Sequence, residues 1–222
     1  QIDRALHDGD GDRAFEAMHQ LLDQVWSECF RVLKAGGILC LNIGDATRSL
    51  GEDFRLYSNH SRILRRLLAL GFRALPDILW QQADRRPNKF MGSGMLPAGA
   101  YVTLEYEYIL ILRKGRRRNF ATDGEKLNRR RSALFWEERN VWYSDVWTDL
   151  KGTGQELVSG SARTRELAHR LVCMFSVRGD HVLDPFLGTG TTTQAAMAVG
   201  RHSTGVEMDA RARLSTRLQR HR

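Results

Sequence analysis

The sequence predicts an α/β fold: a mostly parallel sheet with helices on both faces and a small basic insert. Three observations carry this expectation. Residues 181–207 read strand, glycine loop, helix, strand and acid, the order of a parallel unit that meets its ligand where strands end. Residues 38–43 are a near-continuous apolar run of strand length, as expected of a strand buried on both faces. Apolar residues at helical spacing precede both segments.

The elements follow in order. Residues 8–12 alternate Asp and Gly and read as a loop, without the glutamate that closes an EF-hand. Asp12 is placed to cap a helix over 13–33, in which Phe15, Met18, Leu21, Leu22, Val25, Trp26, Cys29, Val32 and Leu33 form one apolar face. Gly36 and Gly37 stop it, and strand 38–43 ends at Gly44 and Asp45. Asp45 reads as a loop cap before it reads as a site residue. A second helix spans 61–70 on Ile63, Leu64, Leu67 and Leu68, and Gly71 ends it. Residues 72–80 read as one edge strand, a position where Pro76 is tolerated. Residues 82–101 are rich in Gly, Pro and charge and read as a polar loop, followed by a strand near 103–112. Glu166 to Phe175 is helical, and Asp209 is placed to cap a last basic helix over 210–221.

Residues 113–131 break the pattern. They hold nine cations (Arg113, Lys114, Arg116, Arg117, Arg118, Lys126, Arg129, Arg130 and Arg131) against Asp123 and Glu125. Nearly all of the chain's net charge of +8 therefore sits in one segment. Phe135, Trp136, Trp142, Tyr143 and Trp147 follow at once. Cations beside aromatics suit phosphate contact and base stacking, so the segment points to a nucleic acid. The aromatics themselves are expected mainly to pack. The expected division is a core of 1–112 with 163–222, and a basic, aromatic insert over 113–162.

Hydrophobic content of 42% supports a packed core in 222 residues. Cys29, Cys40 and Cys173 are far apart, with no metal-ligand spacing, which points to buried thiols in a reducing, cytoplasmic setting and to no metal. No apolar run reaches the roughly 20 residues that cross a bilayer, so no membrane partner is expected.

The glycine loop is the candidate site. It reads Asp184-Pro185-Phe186-Leu187-Gly188-Thr189-Gly190-Thr191-Thr192. No lysine follows Gly190, so it is not a phosphate loop, and Thr193 stands where a dinucleotide fingerprint has its third glycine. A nucleoside-type ligand without a polyphosphate fits better. Glu207, at the tip of the next strand, is placed to accept from both hydroxyls of a ribose.

These residues resemble the S-adenosylmethionine motif of DNA amino-methyltransferases, in the circularly permuted class that carries it near the C-terminus. The resemblance extends to residues 30–38, Phe-Arg-Val-Leu-Lys-Ala-Gly-Gly-Ile, to residues 88–97, Asn-Lys-Phe-Met-Gly-Ser-Gly-Met-Leu-Pro, and to residues 107–111. It covers most of the chain, from about 12 to 209. It implies a Rossmann-like methyltransferase fold, S-adenosylmethionine as cofactor, and double-stranded DNA as partner. The reaction implied is methyl transfer to the exocyclic amine of cytosine (N4) or adenine (N6), in a restriction–modification setting. A homodimer and a cognate restriction endonuclease are further partners the resemblance allows. By the same resemblance Asp184, Pro185, Phe186, Gly188, Thr189, Gly190, Thr191, Thr192, Glu207 and Met208 line the cofactor. From the charge of their segment, Arg113, Lys114, Arg116, Arg117, Arg118, Arg129, Arg130 and Arg131 are expected to meet DNA.

Two departures stand out. The family's catalytic tetrapeptide has adjacent prolines, whereas the four prolines here, at 76, 87, 97 and 185, are all isolated. A segment carrying it is expected before Gln1, and no catalytic residue is assigned within the chain. The aromatic–proline pair that precedes the helix at 163–170 in the family is also absent, which suggests a few residues missing there. The competing readings are a non-catalytic nucleic-acid-binding module of the same fold and an RNA methyltransferase.

Overall fold

Ile109 to Leu112 form four consecutive buried positions at the centre of the largest sheet. In the computed structural model, residues 10–50, 53–81, 99, 101–150 and 161–209 are described. They form α1 (Gly11–Val32), β1 (Ile38–Ile43), β2 (Ala46–Leu50), β3 (Asp53–Tyr57), α2 (Asn59–Ala69), β4 (Phe72–Ala74), β5 (Ile78–Gln81) and β6 (Tyr106–Lys114). There follow α3 (Asp123–Arg131), α4 (Trp136–Trp142), β7 (Val146–Trp147), α5 (Ser161–Phe175), β8 (His181–Asp184), α6 (Thr191–Ala198) and β9 (His202–Gly205). The chain divides into two compact units, Gln1–Arg116 with Asp145–Lys151, and Arg117–Ser144 with Gly152–Arg222.

In the first unit β6 is the hub. It runs antiparallel to β1, β4 and β5, and β7 joins β5 in parallel. Trp26 of α1 and Ile63 and Leu67 of α2 pack with Phe72, Leu110 and Leu112 as one buried cluster. Arg62 on α2 is tied to Glu16 and Asp23 on α1, which joins the two helices across their polar edges. Asp10 caps α1, its side chain accepting from the Arg13 amide, so the cap lies two residues before the expected Asp12. The α2 boundary also moves, to Asn59, because Asp45 accepts from the His60 amide and the His60 ring. Asp45 is thus a cap supplied from the end of β1, as the sequence suggested.

The expected single strand over 72–80 is two. Pro76 has no N–H to give the ladder, so regular pairing stops after the Leu75 amide, which still donates to the Ile111 carbonyl at 2.8 Å. The Asp77 carboxylate takes over by accepting from the Ile111 amide at 3.2 Å. The hairpin of β2 and β3 was not expected; it carries little apolar alternation for a sequence to show.

In the second unit β8 and β9 pair in parallel across α6. The α/β class therefore holds, but the pairings are mixed rather than mostly parallel. Among the described residues four are antiparallel and two parallel, and strand 181–184 lies in a two-stranded sheet. The reason is physical: a continuous apolar run reports burial on both faces, and a central antiparallel strand such as β6 has that burial too. The polar loop over 82–101, apart from residues 99 and 101, and the basic helix over 210–221 lie outside the described residues. The three cysteines are free, and burial pushes the Cys40 thiol up to about 12. Among the described residues no helix is long and apolar enough to cross a membrane.

Candidate functional site

The turn after β8 is built by local bonds. Asp184 accepts from the Phe186 amide through its side chain and from the Val206 amide through its carbonyl. The Leu187 amide returns to the Val206 carbonyl at 2.9 Å, so the loop is stitched to the end of β9. Gly188 and Gly190 have φ of 49° and 83°, the left-handed region that costs a residue with a Cβ. This is the local reason the loop carries glycine at those two positions.

Glu207 is the point where loop and strand end meet. One carboxylate oxygen accepts from the Gly188 amide at 2.7 Å and the other from the Asp209 amide at 2.8 Å. These two bonds hold the carboxylate beside the glycine turn, at the end of β9. α6 begins at Gly190 with no side-chain cap, which leaves its leading N–H groups available to a carboxylate. The Thr189 and Thr191 hydroxyls lie 3.4 Å apart at this end. Thr193, by contrast, is buried and bonded to Ser203, so it ties the helix to β9. Phe186 and Met208 are 52% and 94% exposed, so neither is core packing.

One close approach was missed in the sequence. A Cβ on Gly205 would stand 2.3 Å from Leu187 Cδ1, so the end of β9 needs glycine to let the loop cross it. A glycine inside a strand pattern was the available signal.

The basic residues do not form one group. Arg113 and Lys114 belong to β6 in the first unit, where the Lys114 ammonium donates to the Phe30 and Arg31 carbonyls at the C-terminus of α1. That is a favourable place for a cation at a helix end. Arg116 is exposed in the same unit. In the second unit Arg117, Arg118, Lys126, Arg129 and Arg130 line one open cavity of about 720 Å³ with Asn119 and Phe120. Arg118 and Arg129 lie over the Phe120 ring at 4.7 and 5.0 Å, which fixes both guanidiniums. Arg118 is also held by Asp180 at 2.7 Å. Among the described residues Arg117, Arg129 and Arg130 have no carboxylate partner. Arg131 is exposed at the end of α3. The aromatics separate too: Trp142 and Trp147 are buried, as expected, whereas Phe135 and Trp136 are largely exposed.

A strand, a glycine turn, an uncapped helix start and a carboxylate fixed by two amides come together as the candidate ligand site of an α/β protein. The chain belongs to the N6/N4 DNA methylase family, whose model matches residues 3–215. It is 52% identical over 210 residues to the type II methyltransferase M.MthZI of Methanothermobacter thermautotrophicus, covering 92% of this chain and 59% of that protein. It is 49% identical over 199 residues to the type II methyltransferase M.MjaI of Methanocaldococcus jannaschii, covering 88% of this chain and 65% of that protein. The chain thus spans about three fifths of the length of these curated relatives. Among solved structures it resembles TTHA0409 of Thermus thermophilus, crystallised with S-adenosyl-L-methionine. The TM-score is 0.76 at 34% identity, covering 93% of this chain and 77% of that one.

Proposed function

We propose that the chain binds S-adenosyl-L-methionine and serves a methyltransferase that modifies the exocyclic amine of cytosine (N4) or adenine (N6) in double-stranded DNA. The observation that carries the reading is the Glu207 carboxylate, fixed by the Gly188 and Asp209 amides beside the start of α6. The cofactor supplies an activated methyl on a sulfonium. Glu207 accepts from the ribose hydroxyls, and Met208 and Phe186 offer exposed surface to the adenine. Asp184 and Pro185 shape the turn. The N–H and hydroxyl groups of Thr189, Thr191 and Thr192, with the backbone of Gly188 and Gly190, receive the amino-acid end, where the helix start favours its carboxylate.

The leaving group is a neutral thioether and needs no acid. The amine needs acceptors that turn its lone pair toward the methyl, and none of residues 1–222 is assigned that role. The insert over 113–162 is read as the DNA-contacting part and the remainder as the cofactor core. The relatives' type II class supports a restriction–modification setting; a cytoplasmic location, a homodimer and a cognate endonuclease are proposed along with it.

The test is a plasmid from cells expressing the full-length protein, digested to nucleosides and weighed. N4-methylcytosine or N6-methyladenine, lost with Glu207→Ala, supports the reading. Unmethylated DNA from a protein that still binds both cofactor and duplex would favour the non-catalytic module instead.

A further inference from the structure

α4 is anchored on one side and bare on another. Trp142 is 6% exposed and packs edge-on against His169 at 5.8 Å, with the Arg170 guanidinium 5.7 Å from its ring. The Tyr143 hydroxyl donates to the Met174 carbonyl at 3.3 Å. Those contacts hold the C-terminal end of α4 to α5. At the other end the Phe135 amide donates to Glu138 at 3.0 Å, which fixes the first turn. Phe135 and Trp136, at that first turn, are 75% and 70% exposed.

Trp136, Arg139 and Tyr143 stand at i, i+3 and i+7, and so share one face of the helix. The Arg139 guanidinium lies 5.8 Å from the Trp136 ring and 6.0 Å from the Tyr143 ring. The face is therefore a row of flat groups, aromatic, guanidinium, aromatic, with Phe135 beside its start. Large apolar rings left in water on a rigid helix mark an interaction surface. Their place in the chain says which kind. Arg131 lies four residues before Phe135, and Arg117, Arg129 and Arg130 of the same unit carry unneutralised charge among the described residues. An anionic partner with flat apolar faces fits such a surface, and an unpaired nucleic-acid base has both properties.

We propose that Phe135, Trp136 and Arg139 form a base-stacking platform that takes an unpaired base of the DNA, separate from the arginines that meet phosphate. This rests on the DNA reading above. Stacking is not a charge interaction, so the platform has its own signature: loss of affinity without loss of salt dependence.

The experiment is fluorescence anisotropy with the full-length protein across a range of salt. The probes are a fully paired duplex and a duplex of equal length carrying one unpaired base. Trp136→Ala is expected to weaken binding to the unpaired-base duplex roughly tenfold or more, with the salt slope unchanged, and Trp136→Phe to restore most of it. Because Trp136 is exposed, thermal melting should not move, and Phe135→Ala gives a second, independent variant. Equal affinity of both alanine variants and wild type for the unpaired-base duplex would overturn the platform while leaving the DNA reading intact. So would a shift from dimer to monomer on Trp136→Ala with DNA binding unchanged, since the rings would then cover a second copy. Wild-type protein that binds neither duplex would instead remove the DNA reading, and the platform with it.

Discussion

The Gly188 amide donates to the Glu207 carboxylate at 2.7 Å, across nineteen residues of chain. The bond joins the turn after β8 to the residue that follows β9, so the acid is aimed by the loop it sits beside. Glu207 is therefore a ligand for the turn as well as a candidate ligand for the cofactor.

Replacing Glu207 with alanine should then do two things. It removes a charge-assisted acceptor for the ribose, worth roughly 1.5–3 kcal/mol, and it releases the Gly188 amide. Calorimetry on the full-length protein should give cofactor affinity at least about tenfold weaker. Unchanged affinity would exclude Glu207 from the ribose site.

Gly205→Ala should act on the same turn without touching the acid. The added methyl meets Leu187 Cδ1 at 2.3 Å and Leu187 Cγ at 2.9 Å, so the leucine must leave its rotamer or the loop must lift. Overpacking of this kind costs roughly 1–3 kcal/mol. Urea denaturation should show that loss in the wild-type background and a smaller one in a Leu187→Ala background. Equal costs in both would mean the two residues do not meet.

The turn was legible in the sequence because its glycines are forced by backbone geometry, and geometry leaves residues behind. Gly188 and Gly190 are legible that way, by their positive φ, and Glu207 by its place at the end of a strand. Gly205 is not, because its constraint comes from a side chain that is close only in space. The basic segment was legible as charge but not as structure. Nothing in the pattern separates Lys114, which closes the end of α1, from Arg117 and Arg130, which line a cavity. Phe135 and Trp136 look in sequence like Trp142, and only burial distinguishes a stacking ring from a packed one. Strand direction was likewise hidden, since β6 carries the same apolar run whichever way its neighbours point.

His19 should make stability depend on pH. It is fully buried, its Nε2 lies 3.1 Å from Asn59 Oδ1, and the Asn59 amide donates onward to the Gly44 carbonyl. Nε2 therefore carries the proton, and Nδ1 has no hydrogen-bond partner. Burial holds the histidine's pKa below its ordinary value. Above about pH 6.5 the ring is neutral folded or unfolded and contributes no pH dependence. As pH falls below that, the unfolded chain takes up a proton the folded chain resists. Stability should fall by up to about 1.4 kcal/mol per pH unit until the folded pKa is passed. Denaturation at pH 7, 6 and 5 should show the slope, and His19→Gln should flatten it. An equal slope in the variant would assign it to another group.

Arg117, Arg129 and Arg130 should contact the DNA backbone rather than read bases. They line one open cavity and, among the described residues, no carboxylate neutralises them. Arg118 is not part of the set because Asp180 already neutralises its charge. Arginines grouped in this way suit phosphate oxygens, which fix register and carry no sequence information directly. Replacing the three together with glutamine should therefore weaken binding to cognate and random duplexes alike. Every phosphate that goes unneutralised lowers the slope of log K against log salt by about 0.9, so the triple variant should flatten it by roughly 2–3. The ratio of cognate to random affinity should stay near its wild-type value. A changed target preference at an unchanged slope is the opposing outcome. It would mean that these guanidiniums reach base edges, and the division between a phosphate-binding cavity and a stacking helix would have to be redrawn.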